Sequence, residues 1–209
     1  MYQKELQRLR LINEKHSLHN HSLLFLSFFM TTYNTGSDSA NTSVRAFLTK
    51  IGEFYLGKSF NTSSGKGKQD WTRIKEEIFE SQCAYCGCVQ DKPTIEHLVM
   101  FNRTECGLHH PGNIVPCCKK CNKRERDKDG NYLSWEEHLL SICENIETYK
   151  KRKQKILNHI KAENYPNLTE DEKNALKAIC EHLYSSTKSE LDKSLVLYKN
   201  IDQTLVNKR

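Results

Sequence analysis

"TIEHLVMFNRTECGLHHPGNIVPCCKKCNKRER" (Thr94–Arg126) packs two strand-like pieces, a loop and a metal-binding pattern into one stretch. "PTIEHLVM" is β-prone and brings an acid and an imidazole, Glu96 and His97, to the end of a first strand. "NRTECGLHHPG" has loop composition, with Pro111-Gly112 as a turn signal. "NIVPCC" reads as the returning strand of a hairpin, and "KKCNKRERDK" as the start of a helix. His109 and His110 fall in the connecting loop, where solvated side chains are expected.

Just upstream stands "CAYCGC", so the hairpin is bracketed by Cys83-x-x-Cys86 and Cys118-x-x-Cys121. Two residues between thiolates let a tight turn present both sulfurs to one ion, and two such knuckles complete the tetrahedral four-sulfur shell that Zn²⁺ favours. Gly87 follows the first knuckle, where a backbone of positive φ is useful. Cys88 and Cys117 compete for register, but the uniform spacing favours the four named ligands and leaves these two as packed thiols. Cys106, Cys143 and Cys180 are lone cysteines with a buried, packing role. About thirty residues separate the knuckles, more than a plain zinc ribbon needs, so the insert is expected to carry another task.

Glu96-His97, Asn113-Ile-Val-Pro and Cys118-Lys-Lys-Cys121-Asn122, with the upstream pair, resemble the HNH endonucleases of the ββα-metal type over residues 80–128. The resemblance lies in the joint spacing. It implies His97 as general base, Asn113 as the residue that steadies hairpin and base, and Glu96 and Asn122 as ligands of a divalent cation. Asn122 stands where the eponymous last histidine would be, which makes this an HNN variant. A carboxylate and an amide oxygen are hard ligands, suited to Mg²⁺ or Mn²⁺. Phosphodiester hydrolysis needs a proton acceptor for water and charge neutralisation at the departing oxygen, and neutral imidazole and a hard cation supply these.

Lys119, Lys120, Lys123, Arg124 and Arg126, with Lys128, crowd the expected helix and are candidates for phosphate contacts, with Lys66 and Lys68 secondary. The expected function is a metal-dependent DNA endonuclease leaving 5′-phosphate and 3′-hydroxyl ends, in restriction or phage defence, with RNA as the other substrate and a homodimer for double-strand cutting. The competing reading is a non-catalytic zinc module that binds nucleic acid or protein.

The bulk properties are compatible with this. The 209 residues are 28% charged, with a formal net charge of +6 and a pI near 8.8, a mild bias toward polyanionic partners. Nine cysteines, seven of them between Cys83 and Cys121, suit metal binding in a reducing cytoplasm rather than a disulfide framework. The longest apolar run, Leu23–Met30, is short of the roughly 20 residues a membrane span needs, and no signal-peptide pattern precedes it, so no membrane partner is expected.

The fold class is therefore α+β and mainly helical: a helical region over 1–79, a zinc-stapled ββα-metal centre over 80–130 and a second helical region over 131–209. The first region reads as an amphipathic helix over 2–16, a polar turn-rich segment over 31–43, a second amphipathic helix, a flexible loop over 61–70 and a short helix capped by Asp70. "HSLHNH" (16–21) is not counted as a metal site. In the last region Ser134/Glu137 and Thr169/Glu172 are capping boxes. The first opens one long helix toward Ala162, Pro166 marks a break, and Ser189 starts a last helix.

Overall fold

The computed structural model describes residues 35–206, so the expected helix over 2–16, the Leu23–Met30 run and the histidines of 16–21 lie outside the described residues. The architecture is mainly helical around one two-stranded sheet. Helix α1 spans Gly36–Leu56. It starts inside the segment expected to be turn-rich, because Thr35 and Asp38 form a reciprocal capping box in which Asp38 N donates to Thr35 Oγ1 at 3.1 Å. Ala40, Val44, Leu48 and Gly52, four residues apart, make its buried face. At Gly52 a Cβ would stand 2.3 Å from the carbonyl oxygen of His109, so glycine lets this helix press on the loop between the strands.

Helix α2, Gly65–Arg73, occupies the segment read as a flexible loop, and runs on as a π-helical turn over Ile74–Ile78. Asp70 lies inside it, pairing with Lys58 at 3.0 Å instead of capping. Packing overrides the glycine-rich composition here: a Cβ on Gly67 would meet Asn61 N at 2.4 Å, so only glycine permits this approach.

Strands β1 (Thr94–His97) and β2 (Ile114–Cys117) pair antiparallel as expected, with Glu96 opposite Val115 and His97 opposite Ile114. A 3₁₀ turn, Pro111–Asn113, leads into β2. The helix expected from Lys119 onward does not form: residues 118–134 are turns and irregular chain. After the knuckle turn, closed by Asn122 N to Cys118 O at 3.0 Å, the Asp127 carboxylate accepts from Asp129 N and Asn131 N at 2.9 and 2.8 Å. Such local side-chain bonds compete with helical ones.

The Ser134/Glu137 capping box does open a helix, α3, but it covers only Trp135–Ile142. Asn145 caps a separate helix, α4, over Ile146–Ala162, so the long helix expected here is two. The Thr169/Glu172 box opens α5, Glu170–Val206, which passes through Ser189 without a restart. Among the described residues no helix is long and apolar enough to cross a membrane.

Two apolar clusters hold these pieces. One joins Ile74, Phe79, Tyr85, Ile114, Val115, Leu139 and Ile156, and so binds the knuckles and hairpin to α3 and α4. The other joins Val44, Leu48, Leu108, Leu176 and Cys180, and so packs α1 and α5 on the loop between the strands. Each fully buried Leu or Ile contributes about 1.5–3 kcal/mol.

Candidate metal centre and catalytic hairpin

The Sγ atoms of Cys83, Cys86, Cys118 and Cys121 all lie within 4.8 Å of one another, an arrangement that could hold a metal ion. Two sulfurs on one tetrahedral Zn²⁺ stand about 3.8 Å apart, given Zn–S near 2.3 Å; Cys86 and Cys118 are 3.8 Å apart. The local chain is built for this. Gly87 adopts φ +76° and its N–H closes the first knuckle on Cys83 O at 2.9 Å, while Cys121 N donates to Cys118 Sγ at 3.4 Å. Ala84 N donates to Pro116 O at 2.8 Å and ties the first knuckle to β2. His138 of α3 bonds Cys121 O at 2.8 Å through Nε2 and sets its ring edge-on to Tyr85.

The remaining cysteines are placed less simply than expected. Cys117 is a packed, buried thiol with its Sγ 4.0 Å from that of Cys83. Cys88 is exposed, not packed, and its Sγ is 3.2 Å from that of Cys86. Cys106 and Cys180 are buried together in the second cluster, in the packing role expected of them, and Cys106 Sγ donates to Arg103 O at 3.3 Å. Cys143 is half-buried.

His97, at the end of β1, stacks on Phe101 with ring centroids 4.7 Å apart and 15° between planes. Its Nε2 is 3.0 Å from His109 Nδ1, and its Nδ1 makes no hydrogen bond with the described residues. Burial, with His109 and Arg124 adding to it, drives the His97 pKa down to about 3, so the ring is neutral at physiological pH. Burial also lowers that of His109, opposed by Glu53. The two loop histidines are therefore not solvated. His110 is fully buried, accepts from Gly112 N at 3.1 Å and packs edge-on to Tyr165; burial takes it down to about 4. Loop composition concealed this, because the cover comes from distant elements: α1 at Gly52 and the Tyr165 segment.

Asn113 is buried and fully used. Its Oδ1 accepts from Val99 N at 2.8 Å, and its Nδ2 donates to Val99 O and Leu108 O at 2.9 and 2.8 Å. One side chain thus grips the chain just after His97 and just before His109.

Alternation along β1 turns Glu96 to the face opposite His97. Glu96 Oε1 takes Arg124 Nη2 in a buried ion pair and Tyr85 Oη at 3.4 Å; Oε2 accepts no hydrogen bond from the described residues. Asn122 lies on the Thr94 side of the strand, its Nδ2 donating to Thr94 Oγ1 at 2.8 Å, and its Oδ1 likewise has no described partner. Arg124, expected to contact phosphate, is buried against the protein: it also donates to His97 O and Leu98 O at 2.9 and 3.0 Å, and its side chain is 4% exposed. Arg126 stacks on Tyr132, 3.8 Å from the ring centroid, and bonds Gly130 O. Lys119, Lys120 and Lys123 are exposed and enter no ion pair among the described residues, though on turns rather than a helix.

Compared with family models, with curated proteins and with solved structures, the chain gives no match in any of the three.

Proposed function

We propose that the chain is an HNH-type, metal-dependent DNA endonuclease that hydrolyses phosphodiester bonds to 5′-phosphate and 3′-hydroxyl ends, acting in restriction or phage defence. The observation that carries this reading is the Asn113 clamp, which fixes the strand end bearing His97 and leaves a neutral imidazole with one ring nitrogen unpaired among the described residues. That division of labour, an amide holding the hairpin and an imidazole kept free of charge, is what proton abstraction from water requires.

Zn²⁺ at Cys83, Cys86, Cys118 and Cys121 would staple the hairpin, as the sulfur separations allow. Glu96 and Asn122 would hold the catalytic Mg²⁺ or Mn²⁺, and both keep an oxygen without a partner among the described residues, Oε2 and Oδ1. When bound there, the cation would supply charge neutralisation at the phosphate and the departing 3′ oxygen. His97 Nδ1 accepts the proton of the attacking water. Its basicity is low without substrate, and a phosphate anion beside it favours the imidazolium and raises it. Arg124 orients Glu96 and the His97 carbonyl together. Lys119, Lys120 and Lys123 pair with flanking phosphates, a sequence-blind contact. Cutting both strands calls for a homodimer.

A second reading, a non-catalytic zinc module, is favoured by one observation: Arg124 already neutralises Glu96, as it would in a purely structural site. The two part in a cleavage assay of the zinc-loaded chain on supercoiled plasmid and on RNA, with Mg²⁺, Mn²⁺ or EDTA. Nicked or linear DNA in either ion, and none in EDTA, supports the endonuclease. Intact substrates in every condition favour the binding module.

A further inference from the structure

We infer that Cys88 is a reserve ligand of the four-cysteine centre, able to take the place of Cys86 on the ion. The inference rests on the four-cysteine metal site and is independent of the endonuclease reading. Cys86 is the one exposed member of the set; Cys83, Cys118 and Cys121 are buried in the first core cluster. A thiolate can therefore be exchanged at the Cys86 vertex without repacking the interior, and at the other three it cannot.

Cys88 is built into that vertex. Its Sγ is 3.2 Å from Cys86 Sγ, well beyond the roughly 2.05 Å of a disulfide and within the spacing of two sulfurs that can reach one ion. Its backbone is pinned there: Cys83 N donates to Cys88 O at 2.9 Å, and Gln82 and Val89 pair as an isolated antiparallel bridge just outside. Gln90 Nε2 donates to Cys88 Sγ at 3.3 Å and holds the side chain at this vertex. Both sulfurs open onto one groove, which Cys118, Cys121 and Lys119 also line.

The exchange is balanced. Cys88 gives its proton to solvent and its sulfur lone pair to the ion, while the Cys86–metal bond breaks and the released Cys86 thiolate takes up a proton. Four thiolates remain on the ion and the charge of the centre is unchanged. Loss or chemical blocking of Cys86, the sulfur nearest solvent, then leaves the ion in place.

The test is zinc content per chain and the rate of zinc release to a chromophoric chelator, for Cys86→Ser, Cys88→Ser and the double variant, with Cys83→Ser as control. Cys86→Ser and Cys88→Ser are each expected to keep zinc, and the double variant to release it faster than either by about tenfold or more. Cobalt substitution gives a second readout: thiolate-to-cobalt absorption of four-sulfur intensity in Cys86→Ser, and less in the double variant. Cys86→Ser releasing zinc as fast as the double variant, or failing to fold with zinc, would overturn the proposal. So would a double variant that holds zinc as the unmodified chain does. Zinc retained in full by Cys83→Ser would instead overturn the four-cysteine site itself.

Discussion

His97 Nε2 and His109 Nδ1 stand 3.0 Å apart, joined across a loop that the single side chain of Asn113 closes. Between two neutral imidazoles only one of the facing nitrogens carries a hydrogen. In the tautomer where His109 accepts, His97 bears its hydrogen on Nε2 and presents a bare Nδ1, as a proton acceptor needs.

That clamp has a measurable strength. Asn113→Ala removes three side-chain hydrogen bonds and leaves Val99 N–H, Val99 C=O and Leu108 C=O without it. The expected loss is about 3 kcal/mol or more, read from urea unfolding of the zinc-loaded protein. A loss below about 1 kcal/mol would mean that water replaces the amide and the clamp is weak.

Arg124 and the neighbouring lysines separate by role. Arg124→Ala leaves Glu96 unpaired in a site where the two side chains are 4% and 13% exposed; the expected cost is about 3–5 kcal/mol of stability. Lys119→Ala and Lys123→Ala leave stability unchanged, and each lowers the salt dependence of DNA binding by about 0.9 in log K against log salt. Thermal melts and binding titrations across salt concentrations check both. An Arg124→Ala chain of unchanged stability, weakened only in DNA binding, would return Arg124 to the phosphate contacts.

Cys121→Ser is expected to lose zinc and cooperative unfolding together. It stands with Cys83 and Cys118 in one core cluster with Leu139 and Ile156, so the ion and the apolar packing support the same elements. Elemental analysis and near-ultraviolet circular dichroism check this. A folded, zinc-replete Cys121→Ser chain would refute the ligand assignment.

Much of this was legible in the sequence, and the failures share a cause. Knuckle spacing, the hairpin and the capping boxes at Ser134 and Thr169 are local patterns with local physical reasons, and each appears in the fold. The second amphipathic helix and the short helix after it were legible, but their starts at Gly36 and Gly65 were hidden, because glycine, serine and asparagine favour turns until a partner surface, such as the Asn61 backbone against Gly67, rewards close approach. The lysine- and arginine-rich run after Cys121 has helical propensity, yet Arg124 folds back onto Leu98 O and Asp127 turns the chain. The burial of His110 and the partial cover of His109 were illegible for the same reason: what covers them is remote in sequence.

The buried histidines also set an acid limit. His110 has its folded-state pKa lowered to about 4 by burial, and His159 is shifted the same way. The unfolded chain, with histidine pKa near 6.5, takes up a proton that the folded chain refuses. Stability is thus full above about pH 6.5 and falls toward pH 4, by about 1.4 kcal/mol per pH unit for His110, with His159 acting in the same direction. His110→Gln removes one of these groups, so its slope of stability against pH, measured by denaturant unfolding between about pH 6 and 5, is expected to be shallower by about one proton. Identical slopes would show that His110 gains its proton in the folded state too.

The most direct measurement is single-turnover cleavage of plasmid DNA by the zinc-loaded chain and by His97→Ala, in Mg²⁺ or Mn²⁺ at neutral pH. His97→Ala should keep its zinc and its fold, bind DNA as before, and cut more slowly by about 10²–10⁴-fold, with the unmodified chain leaving 5′-phosphate ends. Equal rates from the two proteins would contradict the account.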